Sequence, residues 1–233
     1  NPEKRNAINK GMFLDLLSIC ERYNDDEDAW VAILSGKGKA FCAGADLGAE
    51  ADFVKLITKV DMLYLNIMAL KKPTIAAVHG YVLAQGVGIV MACDIRIAAE
   101  GTKFGWPQVK RGISSMSGPA LAVHFLPRNF GYEYLFTGEF FGAEEASRFN
   151  LVNRVVPEDK LMFAAEEMAN KILENAPLAV QAMKEAAHLG SEMNLAQRLH
   201  TSGMILAWVV ATEDAKEGFH AFAEKRKPVW KGK

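Results

Sequence analysis

What this chain lacks narrows it first. No apolar run reaches the ~18 residues that a membrane-spanning helix needs, and no signal-peptide pattern is readable, so no membrane association is expected. Cysteine is scarce: Cys20, Cys42 and Cys93 lie in mostly apolar contexts without metal-ligand spacing. They read as reduced thiols, and a cytoplasmic setting is expected. No histidine is spaced with another, or with a carboxylate, as metal ligands are, so no metal is expected. The formal net charge of −1 leaves no basic surplus for nucleic acid. The G-x-G-x-x-G of dinucleotide sites does not follow any strand-like run, and Gly36-Lys37-Gly38-Lys39 lacks the G-x4-G-K-[S/T] spacing of a phosphate loop. Internal repeats and low-complexity segments are also missing.

What is present is an ordinary globular composition, 50% hydrophobic and 24% charged over 233 residues, enough for one domain or one and a half. Asn9 is a candidate helix cap before Phe13, Leu16, Leu17, Cys20 and Tyr23, which share one helical face ended by Asn24-Asp25-Asp26. Trp30 to Leu34 reads as a buried strand. A helix from about Asp52 to Leu70 follows, then strands at Thr74 to Val78 and Ile95 to Ala98. This alternation argues for an α/β fold with a mainly parallel sheet. Phe104 to Pro107 reads as a short edge piece followed by a glycine- and serine-rich loop. Helices are expected at about Ser117 to Phe125, Tyr132 to Thr137 and Ala143 to Phe149, with a last short strand at Val152 to Val156. From Pro157 onward the pattern is almost purely helical, so a core unit over 1–156 and a helical C-terminal region over 157–233 are expected.

The stretch from Pro73 to Asp94 organises the rest. Its strand Thr74 to Val78 breaks at His79-Gly80-Tyr81 and restarts at Gln85 as a helix apolar on nearly every face, hence buried. Gly86 and Gly88 sit in its first turn, where each costs a helix roughly 1 kcal/mol relative to alanine. Two readings account for them. Close packing is one. The other is a ligand at the helix N-terminus, whose free N–H groups and dipole favour negative charge.

Three segments together, Ala40 to Leu47 (AFCAGADL), the stretch through Gln85-Gly86, and ACDIRIAAEGTKFGWPQVKRGI, resemble the crotonase family, also called the enoyl-CoA hydratase/isomerase family. NPEKRNAIN at the start, TGEFFGAEEASRFNLVNRVVP and the terminal GFHAFAEKRKPVWKGK match in the same order, so the resemblance covers essentially the whole chain. It implies a crotonase spiral of ββα units with a helical C-terminal trimerisation region, and an assembly of three copies or a dimer of trimers. Members usually carry one or two strands before the first loop, so a trimmed N-terminus is expected. It also implies an acyl-CoA thioester as substrate, with no cofactor beyond its CoA moiety. The thioester carbonyl would be polarised by two backbone N–H groups, which by motif match are those of Ala45 and Gln85. CoA contacts map onto Arg5 and Ala7, onto Ala43, Asp46 and Leu47, and onto Phe222 and Lys225 near the C-terminus.

The family pattern breaks where hydratases keep two glutamates. The first falls on Gly88 and the second on Gln108, and neither can titrate near neutral pH. The second donor position, usually glycine, is Gln85. Hydration by two glutamates is therefore not expected; isomerisation, decarboxylation, hydrolysis or hydration of an unusual substrate are the candidates. Ser114, Ser115 and Ser117 lie on the loop where some relatives place a tyrosine or aspartate, with Ser115 closest to that position; a water- or substrate-orienting role is the minor reading, and turn chemistry and helix capping the major one. Trp106 and Met116 are candidate pocket walls. Tyr64, Asn66 and His79 lie near matched motifs, and a lone histidine in a turn, such as His79, reads as structural. A non-catalytic acyl-CoA binder is the alternative class, and an RNA-binding member a further one.

Overall fold

The structure is a computed structural model, and it describes residues 1–46 and 59–233. Thr74–Val78, a run of five apolar or small residues with no polar alternation, is buried along its whole length. A strand that reads this way needs cover on both faces. It is the second strand, β2, of a four-stranded sheet with β1 (Ala32–Ser35), β4 (Ile95–Ala99) and β7 (Arg154–Val156), ordered β1-β2-β4-β7 and parallel throughout. Alternate side chains go to opposite layers. Ala76, Val78 and Ala98 face the main core, whereas Ile75, Ala77, Ile97 and Ala99 pack on Leu161, Ala164, Ala165 and Ala169 of the helix Leu161–Leu173. The first long helix after residue 156 thus forms the outer layer of the sheet. The next, Pro177–Gly190, is pinned to the sheet end by Lys184 Nζ on Asp94, at 2.7 Å.

A second, smaller sheet contains β3 (Tyr81–Leu83), β5 (Lys103–Gly105) and β6 (Phe140–Gly142), ordered β3-β5-β6. The chain alternates between the two sheets: β2 then β3, a helix, then β4 and β5. Each turn of this spiral adds one strand to each sheet. Two expectations differ here. Tyr81 was expected in a break, yet Tyr81–Leu83 is a strand. Phe104 to Pro107 was expected at an edge, yet Lys103–Gly105 lies between β3 and β6. Three-residue strands carry too little periodicity to show in sequence, and the covering partner Phe140–Gly142 arrives far along the chain. Phe104, Trp106, Phe130, Tyr134 and Phe141 close this end in one aromatic cluster, with Phe104 and Phe141 stacked at 5.5 Å between ring centres.

The helix Lys10–Asp25 begins as expected, with the Asn9 side chain accepting from Met12 N–H. Of the helix expected from about Asp52, the described part is Val60–Met68; its expected start lies outside the described residues. The third expected C-terminal helix is Leu195–Val210, and a fourth, Glu213–Glu224, follows it. The three thiols are buried and unpaired by disulfides; burial pushes that of Cys42 up to about 11 and that of Cys93 up to about 12.

Gly80 makes the turn between the two sheets, at φ 61°, and a Cβ there would stand 2.2 Å from the Lys39 carbonyl oxygen. Neither the backbone angle nor the space admits a side chain. Gly80→Ala is expected to destabilise the fold by about 3 kcal/mol or more, read from the urea midpoint at unchanged m-value.

Candidate active site

The site is built by backbone pairing. Ile8 N–H donates to Gly44 O at 2.8 Å and Asp46 N–H donates to Ile8 O at 2.9 Å, a parallel bridge that leaves Ala45 opposite Ile8. In such a bridge the flanking residues bond to the partner and the central residue's own N–H and C=O point the other way. Ala45 N–H is thereby turned from the N-terminal loop towards a cavity of about 510 Å³. The same loop is tied down by Ala43 N–H on Arg5 O at 3.0 Å, by Asn6 Nδ2 on the carbonyls of Lys37 and Ala40, and by Lys4 on Asp46 at 2.8 Å.

Across the cavity stands the buried helix, Gln85–Ala92. Its cap, Ala84, has φ 53° and ψ −110°, a conformation that costs a non-glycine residue on the order of 1–3 kcal/mol. It is held on both sides: Ala84 N–H donates to Gly105 O at 2.9 Å, and Ala84 O accepts from Ser117 Oγ at 3.1 Å. Gly86 has a packing reason, since a Cβ there would lie 2.7 Å from Cys42 O. The helix start is therefore pressed against the 42–45 segment, which brings the Gln85 N–H to the same cavity wall as Ala45. As the first helical residue, Gln85 has no intrahelical acceptor. Among the described residues, neither the Ala45 nor the Gln85 N–H has a backbone or side-chain acceptor.

Gln108 lies in the 3-10 turn Pro107–Arg111, with its Oε1 buried and without a partner. Ser115 Oγ accepts from Gly118 N–H at 3.1 Å and stands 3.4 Å from Ser117 Oγ; Trp106 Nε1–H donates to Ser117 Oγ at 3.3 Å. Tyr64, from the helix Val60–Met68, lines the same cavity as Ser117. Burial pushes its phenol well above the usual tyrosine range, the neighbouring Cys42 adds to the rise, and Ser117 opposes it. It is a neutral hydroxyl. Among the described residues, the cavity lining holds no carboxylate and no imidazole.

The structure thus brings Ala43, Ala45, Gln85, Gln108 and Ser115 to one cavity, with Ser114 and Met116 beside them. Trp106 lines an adjoining cavity of about 360 Å³ shared with Gln108, Ser114 and Ser115. Arg5 and Ala7 lie on the N-terminal loop that pairs with 43–46, and Asp46 follows Ala45 on that segment; none of the three lines the cavity. Leu47 lies outside the described residues. Phe222, 87% exposed, and Lys225, the cap of the last long helix, are not among the cavity-lining residues. Gly88 is not in the lining either. It lies behind Tyr64, whose ring and hydroxyl would be 2.4–2.6 Å from a Cβ at that position. His79 and Asn66 are structural: His79 Nε2 is 2.8 Å from Gly38 O, and Asn66 bonds back to Met62 O. Tyr64 was not singled out by sequence as chemistry, because nothing local links position 64 to position 88.

The enoyl-CoA hydratase/isomerase family model matches residues 1–233. The chain belongs to this family. It is similar to the (E)-benzylidenesuccinyl-CoA hydratase of Thauera aromatica, 37% identical over 237 residues that cover 99% of this chain and 93% of that protein. It is also similar to the carnitinyl-CoA dehydratase of Escherichia coli, 38% identical over 248 residues that cover 99% of this chain and 92% of that one. In structure it resembles the enoyl-CoA hydratase from Bacillus anthracis, with a TM-score of 0.95 at 32% identity, covering 100% of this chain and 93% of that one. The spiral is the crotonase fold, and the protein is a lyase- or isomerase-like enzyme of acyl-CoA metabolism.

In this family member, position 88 has no room for an acid. Gly88→Glu is expected to destabilise the protein by about 3 kcal/mol through overlap with Tyr64. Adding Tyr64→Ala is expected to recover about 1 kcal/mol or more of that loss in a double-mutant cycle, read by urea denaturation.

Proposed function

We propose that the cavity binds an acyl-CoA thioester with its carbonyl oxygen between the N–H groups of Ala45 and Gln85, and that these donors stabilise the thioester enolate. The observation that carries this reading is that two backbone donors without acceptors among the described residues, on separate segments, line one cavity. Charge on that oxygen develops only along the reaction path, so donors fixed in advance stabilise the transition state more than the substrate. The N-terminus of the buried helix adds its dipole in the same sense. The CoA moiety would lie along Arg5, Ala7, Ala43, Asp46 and Leu47, with Phe222 and Lys225 as further contacts. No cofactor beyond CoA is required.

The reaction is not two-glutamate hydration. Gly88 offers no side chain, the space beside it is filled by Tyr64, and Gln108 is an amide that cannot take or give a proton near neutral pH. Relatives named for the hydration or dehydration of CoA thioesters support the substrate class. Isomerisation, decarboxylation, hydrolysis and hydration by another acid–base arrangement are the candidate reactions. The exposed Leu195, Leu199, Leu206 and Trp208 on Leu195–Val210 support a homotrimer or dimer of trimers.

Ala45→Pro deletes one donor. It is expected to lower kcat on an acyl-CoA substrate by about 10²–10³-fold, equivalent to about 2.7–4 kcal/mol, with acyl-CoA binding by calorimetry largely retained. A panel of acyl-CoAs that neither bind nor turn over would overturn the reading. In light scattering, the native chain is expected at three or six times 25.6 kDa.

A further inference from the structure

Tyr64 and Gly88 form a matched pair across the interface of two helices. A Cβ at position 88 would stand 2.6 Å from the Tyr64 hydroxyl oxygen and 2.4 Å from the ring carbon that bears it. The phenol therefore occupies the volume into which a side chain at 88 would project. Gly88 is one helical turn beyond Gln85, so that volume lies on the side of the helix that faces the Ala45 and Gln85 donors. Tyr64 itself lines the cavity while being only 4% exposed, together with Ala45, Gln85 and Ser117. A large, buried phenol from a different helix thus shares the cavity with the backbone donors.

We propose that Tyr64 is a catalytic residue: its hydroxyl faces the α-carbon of the bound thioester and delivers the proton that quenches the enolate. This rests on the reading that the thioester carbonyl lies between Ala45 and Gln85. In the step, the electron pair of the enolate forms a C–H bond at the α-carbon with the Tyr64 proton, and the oxyanion returns to a thioester carbonyl. The O–H bond electrons stay on Tyr64 as tyrosinate, which regains a proton from a water molecule entering by the cavity; hydroxide is the other product of that exchange. A phenol is a stronger acid than the α-C–H of a thioester, so the transfer runs downhill. Burial keeps the phenol protonated and ready to donate. Ser117, held by Trp106 and Ala84, lines the same cavity.

By microscopic reversibility the same group exchanges the α-protons of a bound saturated thioester with solvent. The test uses butyryl-CoA in deuterium oxide, with α-deuteration followed by NMR and binding by calorimetry, on the native protein and on Tyr64→Phe. Phenylalanine keeps the ring that fills the space beside Gly88 and removes only the hydroxyl. The expected result is slow α-deuteration by the native protein, a loss of at least ~100-fold in Tyr64→Phe, as for removal of a general acid or base, and binding within a few-fold of native. Bound butyryl-CoA that is not deuterated by the native protein, or that Tyr64→Phe deuterates at the native rate, overturns the proposal while leaving the acyl-CoA reading intact. Loss of exchange together with loss of binding in Tyr64→Phe marks the hydroxyl as a structural brace and also overturns it. Failure of the native protein to bind butyryl-CoA or longer acyl-CoAs defeats the acyl-CoA reading itself.

Discussion

The site depends on a continuous backbone clamp between three segments distant in sequence. The N-terminal loop pairs with 43–46 through Arg5 and Ile8, and Cys42 pairs with Tyr81 and Leu83 on the other side. Each bond satisfies a backbone group that would otherwise be costly to bury. Together they leave Ala45 facing away from its partner and hold the buried helix against the 42–45 segment. The close approach is possible only because Gly86 has no Cβ to meet Cys42 O. Without the clamp, Ala45 and Gln85 would be two ordinary residues on two connections.

The clamp also explains why an unfavourable residue persists at the cap of the buried helix. Ala84 adopts a conformation with positive φ that costs a residue with a Cβ, yet its N–H and C=O are both fixed, by Gly105 and by Ser117. Strain that the surroundings over-determine is the kind found at functional sites. Here it sets the direction in which the helix begins, and therefore where its first free N–H points.

Gly88 contributes no side chain, and Tyr64 from Val60–Met68 takes the volume beside it. Burial keeps the phenol neutral. On the reading proposed above, the proton chemistry of the cavity rests on such neutral groups and not on a carboxylate, while backbone donors at Ala45 and Gln85 do not depend on the side chains nearby. Gln108, with a buried amide oxygen that lacks a partner, lines the same cavity.

Most of the frame was legible by pattern: the uninterrupted apolar run Thr74–Val78, the Asn9 cap, the all-apolar helix from Gln85 and the helical C-terminal third. These are local signals, since periodicity and capping are written within a few residues. The ordered motifs extended that legibility to the family. Short strands were not legible, because Tyr81–Leu83 and Lys103–Gly105 exist only through pairing with one another and with Phe140–Gly142. By itself, then, the sequence determined the α/β spiral, the ligand class and the absence of a titrating carboxyl at Gly88 and Gln108. Tertiary structure alone decided what stands beside them. Tyr64 reaches Gly88 by packing between segments far apart in the chain, and such a contact leaves no trace in residue spacing.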